Sequence, residues 1–320
     1  MIFFILILLS ATPLWAAPEA CSTVDLSSTP GVGVADIPRW SQGQSHLCYA
    51  FAAAALIDHY RLTQGDKDHA HWTSPLLLSL KTIEHYQSLG STLAGGKVEH
   101  AFSTAKQFGS CGSNLLSDKL GSVSTDQLLK TLSQFHQDAQ EAPLNRKKIA
   151  AKVRHFLRLS KIKSVFLPEI PEIEKNLELT KSQFIVHTLT GFCEDVKKLD
   201  DLPRAQLLFQ PKASAQDIQQ RLQNLLSSQI PIGINYCANV VTDPTHTGHW
   251  DGKRWLCEEN KNHSAIVIGR KWMEGKCQYL IRDSGCEGYR QQAPERCHQG
   301  QYWLDATALA QNLHGIFWLQ

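Results

Sequence analysis

The 320-residue chain contains no Cys-x-x-Cys pair and no internal repeat, only two methionines, and no apolar run beyond its N-terminus that approaches the ~20 residues of a membrane-spanning helix. Charged residues are sparse at 19% and nearly balanced, with 32 Lys and Arg against 30 Asp and Glu. The first absence argues against a structural zinc site. The missing apolar runs leave no membrane span after the N-terminus, and the balanced charge gives no electrostatic footprint for nucleic acid. With 42% hydrophobic residues the chain is neither disordered nor collagen-like. Its length suffices for one large domain or two small ones with a substantial core.

What is present begins with MIFFILILLSATPLWAA, an apolar run from Ile2 to Leu9 followed by small residues at Ala16, Ala17 and Ala20. That is the layout of a secretory signal peptide over residues 1–17, with the mature chain starting near Pro18. A membrane anchor is the alternative reading, although Pro18 stands where a lipoprotein box has Leu. We therefore expect a secreted protein, extracellular or periplasmic. In an oxidising compartment the nine cysteines predict disulfides, and their odd number leaves one thiol over unless it bonds another chain. Cys286 with Cys297 and Cys237 with Cys257 each close a short loop and are the expected bridges; spacing leaves the rest of the connectivity open.

Around Cys48 a polar Gly/Ser/Gln loop gives way to an Ala-rich segment, apolar on most faces from Leu47 to Ile57, which predicts a buried helix with Cys48 in its first turn. Val98, Ala101, Phe102, Ala105 and Phe108 recur at helical spacing after Gly95 and Gly96, so the first third reads as helical. Composition changes over about 117–211, where Arg146, Lys147, Lys148, Lys152, Arg154, Arg158, Lys161 and Lys163 fall in one stretch without an acid. Ile149, Val153, Phe156 and Leu157 keep one side apolar, which favours a solvated helix face over a site for an anionic partner. A helix over about 214–228 then leads into IPIGINYC, followed by SAIVIGRKW and CQYLIRDS across the turn MEGK. The last two runs predict an antiparallel hairpin that brings His263, at the start of one strand, near Asp283, at the end of the other.

A thiol at the N-terminus of a buried helix, an imidazole and a carboxylate form a nucleophile, a base and a group to orient the base. The helix dipole and a neighbouring imidazolium both favour thiolate over thiol. At this point QGQSHLCYAF resembles the papain-family pattern of Gln-Gly, four further residues, then Cys, an aromatic and Ala-Phe. Gly95-Gly96 before a helix, Asn262-His263 before a hydrophobic strand, and YLIRDS in place of an aromatic-aliphatic strand ending in Asn-Ser-Trp extend the resemblance over most of the chain outside the middle.

The resemblance implies an α+β fold of two subdomains facing each other across a cleft: a mainly helical left half over 18–116 and a β-rich right half over 212–320. It implies a cysteine peptidase in which Cys48 attacks a peptide carbonyl, His263 protonates the leaving amine, Asp283 orients His263, and Gln42 donates to the oxyanion. Gly95 and Gly96, with Asn262, would line the substrate groove. In the family the His follows the Cys by ~130 to 150 residues, whereas His263 follows Cys48 by 215. The excess matches the 117–211 stretch, read here as an insertion that could cover the cleft, since the ~30 residues between Pro18 and Cys48 are too few for an inhibitory pro-domain.

Three features depart from the family pattern. Asp283 occupies the Asn position, and Gly285 with Cys286 replaces Trp-Gly, which removes the aromatic shield over the His-orienting bond; Ser45 stands at a customary disulfide cysteine. These departures keep two other classes in view: a catalytically silent papain-like module that binds peptides or a partner, and a Cys-His-Asp acyltransferase of the transglutaminase type. No organic cofactor and no metal are expected; His246 and His249 beside Trp250 read as a polar loop bordering the cleft. A monomeric endopeptidase acting on protein or peptide substrates is the expectation that the residues favour.

Overall fold

The computed structural model describes residues 21–28, 34–43, 45–66, 72–86, 95–111, 125–159, 168–190, 196–210, 212–252, 255–258, 261–286 and 297–320. The expected signal peptide, 1–17, and Cys193 lie outside the described residues.

The Ala-rich segment forms helix α1, Cys48–Thr63, and its burial runs around the whole circumference from Tyr49 to Ile57. Alanines 52 to 55 supply strong helix propensity and little bulk, so the helix lies close against the sheet described below. Helix α2, Pro75–Tyr86, starts on a proline, whose fixed φ suits the first helical position, and α3, Val98–Phe108, buries Val98, Ala101, Phe102 and Ala105 as its spacing predicts. Phe108, the last residue of that stripe, is exposed. Both helices pack on α1 and on each other to make the helical half.

The β-rich half is a seven-stranded antiparallel sheet. Its strands are β1 (Val24–Asp25), β4 (Gln206–Phe209), β5 (Ile232–Cys237), β8 (Asn262–Met273), β9 (Lys276–Arg282), β10 (Gln301–Asp305) and β11 (Leu313–Trp318), in the order β10-β9-β8-β5-β11-β4 with β1 beside β8. The predicted hairpin is β8 and β9, turned through Glu274 and Gly275, both at positive φ, a geometry that glycine adopts without a steric penalty. Helix α8, Ala215–Ser227, begins at a capping box in which Ser214 and Asp217 satisfy each other's backbone N–H groups. Asp305 caps the later helix α9, Ala306–Asn312, by accepting from Thr307 and Ala308.

Much of the 117–211 stretch is a helical unit: α4 (Thr125–Glu141), α5 (Arg146–Leu159), α6 (Ile170–Asn176) and α7 (Lys181–Thr190). Helix α5 buries Ile149, Val153 and Leu157 and leaves Lys147, Lys148, Lys152 and Arg158 exposed, while Arg146 and Arg154 pair with Glu178 and Glu169 at 3.0 and 2.9 Å. The basic run is thus the solvated face of an amphipathic helix. Helix α7 packs on α2, which docks the unit against the helical half. Residues 206–209 of the stretch are the edge strand β4 of the main sheet, the short strand β3, Val196–Lys197, pairs with β2, Ser110–Cys111, and β6, His249–Trp250, pairs with β7, Trp255–Leu256.

Disulfides and one buried arginine hold loops and the start of the described chain to this frame. Cys237–Cys257 and Cys286–Cys297 form the two short loops expected, and Cys21–Cys277 fastens the start of the described chain to β9. Cys111 is disulfide-bonded as well. Arg282, at the end of β9, donates to the carbonyls of Val34 and Ile37 at 2.7 Å each and to that of Pro38. The segment leading to Gln42 is thereby held on the sheet. Arg282→Leu leaves those three acceptors without their charged donor and is expected to cost about 3 kcal/mol of unfolding free energy. Urea denaturation of the two proteins measures it, and an unchanged midpoint would show that the strap is held by other contacts.

Candidate active site

Cys48 is the free cysteine among the described residues, and it opens α1 with no side chain capping that helix end and no acidic residue in its first turn. The partial positive charge of the helix N-terminus therefore faces the sulfur uncompensated. Across the cleft, His263 is the second residue of β8 and stands directly opposite Tyr236 of β5, so the two side chains share one face of the sheet. Its Nε2–H donates to Asp283 Oδ1 at 2.7 Å, which leaves Nδ1 as the ring nitrogen for the hydrogen bond with Cys48. Burial pushes the Cys48 thiol up, but the His263 charge, the His263 hydrogen bond and the Ser264 backbone N–H outweigh it and hold the thiol below its ordinary value.

Asp283 is fully enclosed, and all its contacts are donors. Oδ1 also accepts the Gly285 backbone N–H at 2.6 Å, and Oδ2 accepts the hydroxyls of Tyr236 at 3.0 Å and Tyr302 at 2.9 Å. Burial raises its pKa, yet the His263 charge and these hydrogen bonds prevail, so the carboxyl stays below the usual carboxylate range. No aromatic side chain follows Ser284, as the sequence indicates, yet the His263–Asp283 bond is buried. A Cβ on Gly285 would come within 3.2 Å of His263 Cε1 and 3.3 Å of Asp283 Oδ1, so a larger residue there requires these neighbours to give. The Tyr236 ring meets that of His263 edge-on at 5.7 Å.

Gln42 is buried and doubly tied to the residue after Asp283: its N–H donates to the Ser284 carbonyl at 3.0 Å, and its Oε1 accepts the Ser284 hydroxyl at 2.8 Å. With Oε1 engaged, the Nε2 donor end of the amide is the one presented to the cleft. Ser45, at the customary cysteine position, instead bonds the Gln42 carbonyl through both its backbone N–H and its hydroxyl.

The cleft measures about 740 Å³ and is lined by Gln42, Cys48, Gly95, Gly96, Asn262 and His263 among others, so the structure brings together every sequence-predicted residue except Asp283, which stands behind His263. Gly95 has φ +81° and donates its N–H to the His46 carbonyl. A Cβ on Gly96 would overlap the Tyr49 ring, so the bare backbone at this wall is a packing requirement. Asn262 rests against the Cys237–Cys257 bridge, its Oδ1 3.2 Å from a sulfur. No described residue between 125 and 205 lines the cleft, whereas Phe209 and Gln210, at the end of the middle segment, do; helix α7 of that segment packs on α2 of the helical half. His246 turns away to Glu258, whereas Trp250 borders the cleft.

Sequence reasoning missed Tyr236, Tyr302, Ser284 and His314. Ser284 was detectable as the neighbour of Asp283. The tyrosines come from strands remote in sequence, and only the sheet order places them. His314 lines the cleft stacked on Trp255 at 5.5 Å, and burial lowers its pKa to about 4, so it is neutral at ordinary pH.

Since its thiol is lowered by His263, Cys48 should react with iodoacetamide at pH 6 at a rate well above that of an ordinary thiol. His263→Asn should return the rise in rate to the ordinary thiol range near pH 8.5. Rate against pH by mass spectrometry checks this, and identical profiles for the two proteins would show that His263 does not govern the sulfur.

No protein-family model matches the chain, and no curated protein sequence does. Among solved structures, xylellain, a cysteine protease from Xylella fastidiosa, superposes with a TM-score of 0.51 at 13% identity, covering 94% of this chain and 87% of that one. A structure from work on the mite allergens Blo t 1 and Der p 1 gives 0.48 at 14% identity, over 97% and 73% of the two chains. Digestive procathepsin L 3 of Tenebrio molitor larval midgut gives 0.46 at 13%, over 96% and 71%. Resting on the first of these and on the helical half, sheet and cleft described above, the conclusion is that this chain has the papain-like fold.

Proposed function

We propose that the protein is a secreted papain-like cysteine peptidase, acting as an endopeptidase on protein or peptide substrates. The observation that supports it most is the continuous chain of contacts from the free Cys48 through His263 to the enclosed Asp283, opening on a cleft whose other wall carries Gly95 and Gly96. Export is supported by the disulfides and by the signal-like N-terminus.

In this reading Cys48 and His263 rest as thiolate and imidazolium. A peptide laid against Gly95 and Gly96 offers its carbonyl carbon to the sulfur; the C–S bond forms and the carbonyl π electrons move to oxygen. Gln42 Nε2–H and the Cys48 backbone N–H receive that oxyanion at the start of α1, where the helix dipole adds to them. As the tetrahedral centre collapses, His263 Nδ1 gives its proton to the departing amine and the C–N bond breaks, leaving a thioester on Cys48. Water then attacks the thioester while Nδ1 takes its proton, and expulsion of the sulfur restores the ion pair. Throughout, Asp283 holds the ring orientation through Nε2 and favours the charged imidazole.

The helical unit over 125–190 fits an insertion between the two halves, since chain lengths on either side of it suffice for a helical wall and a β wall. Against the silent-module reading stands the orienting group behind His263, in which Asp283 Oδ1 accepts from both the His263 ring and the Gly285 N–H.

The test is labelling of the purified, mildly reduced protein with an epoxysuccinyl probe, with Cys48→Ala as control, followed by assay on an unstructured protein. Labelling confined to Cys48 and cleavage abolished in Cys48→Ala are expected. Gln42→Ala should lower kcat by about 100-fold or more, close to the ~3 kcal/mol typical of one oxyanion donor. Correctly folded protein that neither labels nor cleaves would overturn the peptidase reading, and release of ammonia from protein glutamine without cleavage would replace it with acyl transfer.

A further inference from the structure

We propose that Tyr236 and Tyr302 are paired positioning residues which hold Asp283 by its outer oxygen and draw its charge away from His263, so that an aspartate performs the task of a neutral amide. The proposal rests on the peptidase reading and adds residues that the reading does not require.

A neutral amide behind the imidazole orients it without adding charge. An aspartate in the same place adds a full negative charge within 2.7 Å of Nε2. Undiluted, that charge would bind the imidazolium proton too strongly, and the proton must leave His263 for the departing amine in every turnover. The two tyrosines bear on this excess. Both are fully buried, one on β5 and one on β10, on opposite sides of the β8–β9 hairpin, and both hydroxyls converge on Oδ2, at 3.0 and 2.9 Å, while also touching each other. Oδ1 is left to His263 and the Gly285 N–H. The two hydroxyl protons, shared between Oδ2 and the Tyr236–Tyr302 contact, polarise the carboxylate toward that oxygen, weakening Oδ1 as an acceptor, and their field opposes positive charge on the ring beyond.

The other ionisable groups around this chain leave the tyrosines as the adjustable element. Cys48 faces His263 from α1 and forms the other half of the pair, its thiol lowered by the His263 charge and hydrogen bond. Arg282, adjacent to Asp283 in sequence, directs its guanidinium to the carbonyls of Val34, Ile37 and Pro38. Tyr236 has a second role, since its ring edge also bounds His263, whereas the hydroxyl of Tyr302 meets Asp283 and Tyr236.

The experiment reads Cys48 alkylation by iodoacetate against pH in the full-length mature protein. The rate of this anionic reagent falls on the alkaline side as the imidazolium loses its proton. Tyr302→Phe, and independently Tyr236→Phe, should move that alkaline limb up by about half a pH unit to one unit. Asp283→Asn removes the charge on which the tyrosines act, so adding Tyr302→Phe to Asp283→Asn should leave the limb where Asp283→Asn alone puts it. A purely structural tyrosine would give no shift, or the same shift in both backgrounds, and either result overturns the proposal. If Tyr236→Phe fails to fold, Tyr302→Phe and the double variant decide. A wild-type profile like that of an ordinary thiol overturns the peptidase reading and this proposal together, while a bell-shaped wild-type profile with unmoved limbs in the tyrosine variants overturns this proposal alone.

Discussion

The hydrogen bond from His263 Nε2 to Asp283 Oδ1 is the contact on which the rest of the site depends. It decides which ring nitrogen is left for Cys48, and it draws the end of β9 against the start of β8. It also places Ser284 where its hydroxyl can fix the Gln42 amide. A sulfur on one wall and an imidazole on the other become a pair only because this carboxylate settles the ring's rotation. The surrounding structure keeps it buried and partnered: Oδ1 accepts from His263 and the Gly285 N–H, and Oδ2 meets the linked hydroxyls of Tyr236 and Tyr302.

Its surroundings also explain how the helical half and the sheet are joined. Arg282 and Asp283 are neighbours in sequence with opposite tasks. The guanidinium grips the strap that carries Gln42, and the carboxylate grips His263, so the oxyanion donor and the base are both referred to the end of one strand. Alternation along the strand sends the two side chains to opposite faces of the sheet, which is why one dipeptide can organise both walls of a cleft.

Much of this was legible in the sequence. The Leu47–Ile57 segment could only be a buried helix, because it lacks a polar face; the β8–β9 hairpin followed from two apolar runs flanking Glu274-Gly275; and the short loops closed by Cys237–Cys257 and Cys286–Cys297 followed from spacing. The reading of the departures at Asp283 and Gly285 was incomplete for a physical reason. A missing tryptophan is visible one residue after Ser284, but the tyrosines that hold Asp283 belong to β5 and β10, and nothing local to either strand says which carboxylate its hydroxyl will meet. The docking of the middle segment was illegible for a similar reason. Its helices and its solvated basic face were readable from period and charge, whereas the surface onto which α7 docks is set by α2, far away in sequence.

That docking has a mechanical implication. A unit of four helices, with α4 beginning beside Gly43, abuts the loop that carries Gln42, since the Asp126 side chain stands close enough that a Cβ on Gly43 would touch it at 3.0 Å. The glycine there has φ +58°, so the turn is set by the backbone, and the helix end beside it limits how far the turn can swing outward. A substrate pressing on Gln42 therefore pushes against the first turn of α4 as well as against the loop itself.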